Sequence, residues 1–186
     1  GVWSAASGVC KRQEQCMVQS LAAAGCREAC HYHDDNNSDQ YMYRQAIHIH
    51  LKDIESTYQV RAMVSSMIIF NIALAHHLSA LVSDEKRQSE KLHKATTLYK
   101  LAYNLQRGAQ LENNFIFTMA TINNLGVIYR QVEDKETATK CFQHLLVMFW
   151  FDCGAAKACC DEELDGFLRN ATTNLVPELS CTAAAA

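Results

Sequence analysis

The sequence predicts an all-α fold, and three observations carry that reading. Proline occurs once, at Pro177, and glycine seven times in 186 residues, too little punctuation for a many-turned β architecture. From Ser56 onward apolar residues recur at helical spacing, over runs too long for strands. Between the runs stand short polar segments that end in recognisable capping residues.

Taken in order, the first body helix starts at Ser56, whose hydroxyl is placed to accept from the open amides of a first turn, and runs to Val82. Ser83, Asp84 and Glu85 restart a helix, with a hydroxyl cap followed by acids that favour the positive end of the dipole. That second helix ends near Gln106, before the stop at Gly108. Asn113 or Asn114 caps a third helix ending near Gln131, and Asp134 caps a fourth that ends by Gly154. A fifth spans about 160–175, halted ahead of Pro177 because proline disfavours the α conformation in its predecessor. Short loops make successive helices antiparallel neighbours. The expected organisation is therefore hairpins over about 56–107 and 113–153, a capping helix over about 160–175, and an uninformative tail at 183–186.

Residues 1–55 read differently. Val9 to Ala24 is compatible with a helix, His33 to Asp39 is a polar loop, and Tyr41 to Leu51 alternates with a period of two. An extended arm lying against the helical body is expected there.

Two segments of the body repeat each other: Phe70-Asn71-Ile72-Ala73-Leu74-Ala75-His76-His77 and Asn123-Asn124-Leu125-Gly126-Val127-Ile128-Tyr129-Arg130. In the second, Leu125, Gly126 and Tyr129, then Ala138 and Phe142 on the next helix, resemble the signature of a tetratricopeptide repeat. The first is looser, with Ile72, Ala73 and His76, then Ala95, Tyr99 and Ala102 after a longer, charged connection. The anchors Asn71 and Asn124 stand 53 residues apart, against a family period of about 34. The chain is also similar to short tetratricopeptide-like proteins of unicellular algae, which bring no known activity. The resemblance implies a short α-solenoid of stacked antiparallel hairpins, here with an N-terminal arm and a C-terminal capping helix.

It also implies a concave surface lined by the first helix of each hairpin. Carried onto this sequence, the groove positions include Phe70, Asn71, Leu74 and His77 in the first copy, and Asn123, Asn124, Val127, Arg130 and Gln131 in the second. Asn carboxamides suit the backbone of an extended ligand, and the Arg130 guanidinium suits a carboxylate. The expected function is a non-enzymatic adaptor or scaffold that binds a peptide or helix, with Asn124 and Arg130 exposed on the groove. Two hairpins fall below the usual minimum for an isolated array, so the arm, the fifth helix or another subunit is expected to complete the core. A structural subunit of a larger complex, or an oligomer, is the alternative.

Composition narrows the remaining classes. A net charge of −3 with 20% charged residues argues against a nucleic-acid binder and a polybasic membrane attachment. Met67 to Val82 is interrupted by Asn71, His76 and His77, and Leu145 to Phe151 is too short to span a bilayer. No leader is evident from Gly1 onward, and nine cysteines without a Cys-x-x-Cys pair favour free thiols in a reducing intracellular compartment. Asn36 and Asn170 open glycosylation sequons that are read as accidental. The Cys26, Cys30, His31, His33 cluster leaves a metal-binding or redox protein as a second alternative, although its spacing matches no structural zinc pattern. No catalytic motif is present, and no catalytic residue, metal ligand or cofactor is expected.

Overall fold

The computed structural model describes residues 40–47, 57–108, 115–151 and 161–173. These hold five α-helices and no strand: α1 Tyr58–Leu81, α2 Glu85–Gly108, α3 Phe115–Gln131, α4 Lys135–Phe151 and α5 Asp161–Thr173.

The helix ends refine the sequence reading. Thr57, not Ser56, caps α1, its hydroxyl accepting from the Val60 amide at 3.3 Å. Asp84 rather than Ser83 caps α2, accepting from the Arg87 amide at 3.0 Å. The Ser83 hydroxyl instead donates back to the Ser79 carbonyl at 2.6 Å, closing α1. Asp134 caps α4 as expected, accepting from the Thr137 amide at 3.1 Å. The caps expected at Asn113 or Asn114 lie outside the described residues.

Between α3 and α4 the chain reverses through a Schellman turn. The Asp134 amide donates to the Tyr129 carbonyl at 2.9 Å and the Glu133 amide to the Arg130 carbonyl at 3.1 Å. This geometry needs a left-handed residue, and Glu133 supplies it at φ 62°.

The helices pack as two antiparallel pairs, α1 with α2 and α3 with α4, and α5 lies against α4 and α3. Small residues set the close approaches. Ala95 and Ala102 of α2 are fully buried, and Ala138 of α4 nearly so. At Gly126 a Cβ would stand 2.8 Å from the Phe142 ring, so only glycine admits α4 at this distance. Phe70 of α1 joins the pairs, meeting Tyr99 of α2 at 5.4 Å and Phe117 of α3 at 5.3 Å between ring centroids. Gln106 of α2 donates to the Thr118 hydroxyl of α3 at 2.8 Å.

Helix α3 sits at the centre: every side chain from Met119 to Ile128 is buried. Helix α1 is long and apolar enough to cross a membrane by length and composition. Met63, Met67, Phe70 and Leu74 of this helix are buried in the core, whereas Ile68 and Ile72 are exposed.

Candidate functional site: an asparagine-lined groove

Residues 41–47 have no helical structure and run across the first helix of each pair and across α5. Their direction opposes the order of the helices. Tyr41 lies at α5, Tyr43 at α3 and Ile47 at α1.

Three asparagines hold this segment by its backbone. The Tyr43 amide donates to Asn124 Oδ1 at 2.9 Å, and Asn124 Nδ2 donates to the Tyr43 carbonyl at 2.9 Å. Asn71 repeats the arrangement on Ile47, accepting at 2.8 Å and donating at 2.9 Å. Asn170 repeats it on Tyr41, accepting from the amide at 2.9 Å and donating to the carbonyl. The physical reason is a match of shape. A carboxamide presents one donor and one acceptor side by side, and an extended residue presents its own N–H and C=O on the same edge. Each asparagine therefore satisfies two backbone groups that burial would otherwise leave unpaired.

Two of the three clamps, Asn124 and Asn170, are tied together through Asn123. Asn170 Nδ2 donates to Asn123 Oδ1 at 2.7 Å, Asn123 Nδ2 donates to the Tyr41 carbonyl at 3.0 Å, and Asn123 and Asn124 are in contact at 3.3 Å. Asn124 Nδ2 also donates to the Tyr99 hydroxyl at 3.1 Å. Burial holds the Tyr99 phenol well above its ordinary pKa, so it stays protonated. Asn123, Asn124 and Asn170 are fully buried.

The expected groove residues divide accordingly. Asn71, Asn123 and Asn124 touch the segment at 41–47 directly. Phe70 lies 6.2 Å from the Tyr43 ring, centroid to centroid. Leu74 and Val127 are buried, Leu74 within the main core cluster. Arg130 and Gln131 are exposed, at the far end of α3. The expectation of an exposed Asn124 is corrected: residues 41–47 cover it, because a carboxamide lining an otherwise apolar groove needs backbone partners once water is excluded.

His77 is also fully buried, and neither ring nitrogen meets hydrogen-bond geometry with a partner among the described residues. Burial pushes its pKa down to about 4. The Gln131 side chain nearby opposes that shift and the Arg44 charge adds to it. The imidazole is thus neutral at pH 7 and packs edge-on to Tyr99 at 6.1 Å.

Asn170 was missed as a groove residue. Its signal was an asparagine on the apolar face of a short helix, three residues after Phe167 and beside Ala171, both fully buried. That burial also closes the Asn170 sequon to a glycan in the folded chain.

Among the described residues no group of three His, Cys, Asp or Glu side chains converges on a common point. The Cys26, Cys30, His31, His33 cluster lies outside them. The Cys141 thiol is pushed up to about 11 by burial, which keeps it protonated at neutral pH. Comparison with protein-family models, curated proteins and solved structures found no match.

Proposed function

We propose that this chain is a non-enzymatic protein-interaction module: a short tetratricopeptide-like solenoid whose concave face holds an extended peptide by its backbone. The observation that carries the reading is the repeated clamp, in which Asn71, Asn124 and Asn170 each engage both backbone groups of one residue. Their helices succeed one another as α1, α3 and α5, so α5 serves as the first helix of a third unit. The close approach at Gly126 and Ala138 supports the same packing scheme. Residues 41–47 occupy the groove in cis, and a partner's extended segment takes their place.

The test is a displayed library of random peptides selected on the full chain carrying Tyr43→Ser, which loosens the cis occupant. The same selection is run on the chain carrying Tyr43→Ser and Asn124→Ala. Enrichment that disappears with Asn124→Ala, while helical circular dichroism is retained, is the expected result. No enrichment on either chain would refute a groove open to other peptides.

A second reading, a structural subunit of a larger complex, is favoured by Val147 and Trp150. They lie one turn apart on α4 and are 51% and 81% exposed. Retained assembly partners after loss of groove binding would favour it.

A further inference from the structure

Backbone clamps are blind to sequence, because every residue except proline offers the same N–H and C=O. Whatever selectivity the groove has must come from the side-chain positions between and beside the asparagines. At position 41 the groove is cut for a ring. Tyr41 meets Phe167 edge-on at 5.3 Å and 88°, and its ring covers Gly166, where any Cβ would overlap it. At position 43 the ring stacks on Phe167 at 6.0 Å and 16° and turns its edge toward Phe70. Met42 is buried, whereas Arg44 and Ala46 are exposed. Ile47 is half-buried against the apolar core.

Resting on the groove reading above, we propose that the partner is a protein segment of the pattern aromatic–apolar–aromatic–x–x–x–aliphatic, bound extended, with Gly166 and Phe167 selecting its aromatic residues. Residues 41–47 are the cis copy of that ligand. Proline is excluded wherever a clamp needs an N–H, at the positions of Tyr41, Tyr43 and Ile47. The aromatic positions discriminate because a flat ring has both a face for stacking and an edge for the neighbouring ring, and a branched aliphatic side chain has neither.

The experiment uses the full chain carrying Tyr41→Ser and Tyr43→Ser. The probe is a fluorescein-labelled synthetic octapeptide of residues 40–47, read by anisotropy. Three further peptides replace both tyrosines by phenylalanine, replace both by leucine, or carry an N-methyl group on the amide corresponding to Tyr43. The native and phenylalanine peptides should bind within about threefold of each other, the leucine peptide about tenfold more weakly, and the N-methyl peptide not measurably. Adding Gly166→Ala should weaken the native peptide by about tenfold. If the doubly substituted chain is unfolded alone, the same ranking is read from the helical ellipticity that each peptide restores.

Leucine and tyrosine peptides of equal affinity, with the N-methyl peptide still excluded, would overturn the aromatic pattern and leave the backbone groove standing. No binding by any peptide, or equal binding by the N-methyl peptide, would overturn the groove reading itself. A wild-type dimer in light scattering that dissociates on Tyr43→Ser would assign the segment to a second copy of this chain and overturn a separate partner.

Discussion

Asn124→Ala is the most informative single perturbation. It removes the carboxamide that satisfies both backbone groups of Tyr43, a residue only 5% exposed. Water has little access to either group once the side chain is gone. A buried polar group left without a partner costs about 1–3 kcal/mol, so the two together give roughly 2–6 kcal/mol. The bond to the Tyr99 hydroxyl is lost as well. Against a domain stability of about 5–15 kcal/mol, this is a large fraction. The internal control is Asn71→Ala. It breaks the same pair of bonds on Ile47, where both partners are half-buried and water can replace the carboxamide, for about 1 kcal/mol. The assay is urea denaturation of the full chain and both variants, followed by helical circular dichroism. The unfolding midpoint should fall far more for Asn124→Ala than for Asn71→Ala, with an unchanged slope. Equal shifts, or a loss below about 1 kcal/mol at Asn124, would refute the argument that buried backbone satisfaction holds the segment in place.

Three further outcomes follow from particular residues. Gly126→Ala puts a methyl group into the rigid, fully buried Phe142 ring and should lower stability by about 1–3 kcal/mol in the same assay. Glu133→Gly relieves a left-handed backbone at φ 62° and should raise stability by about 0.5–1 kcal/mol, the left-handed penalty exceeding the entropy that glycine forfeits. His77 has a folded pKa near 4 against 6.5 when unfolded, so only the unfolded chain takes up the proton between those values. Its effect is absent above pH 7 and destabilises as the pH falls through 6.5 toward 4. The total is roughly 3 kcal/mol at 1.36 kcal/mol per unit. Comparing wild type with His77→Leu at pH 7.5 and pH 5 isolates it: the wild type should lose about 2 kcal/mol more than the variant.

Local patterns already carried the helices. The apolar spacing of α1 to α4 and the Asp134 cap are properties of a residue and its near neighbours, so they are legible in one dimension, whereas Gly126 was picked out by the tetratricopeptide resemblance. Cap positions slipped by one residue at Thr57 and Asp84 because Ser, Thr and Asp are chemically equivalent caps, and only the hydrogen bond actually formed chooses between them.

The groove was legible in part. Asn71 and Asn124 stood out because the tetratricopeptide resemblance carried groove positions onto them, and a carboxamide suits the backbone of an extended ligand. Asn170 did not stand out, since groove positions were carried only onto the two hairpins and the helix that holds it was read as a cap.

By itself, then, the sequence determined the all-helical class, the helix boundaries among the described residues to within about three residues, and the kind of chemistry its asparagines offer. Only the tertiary structure decided that three of them align across α1, α3 and α5, and that residues 41–47 lie beneath them with Tyr41 and Tyr43 against Phe167. Those contacts join residues 24 to 129 positions apart. Their register depends on how whole helices stack, which no local pattern encodes.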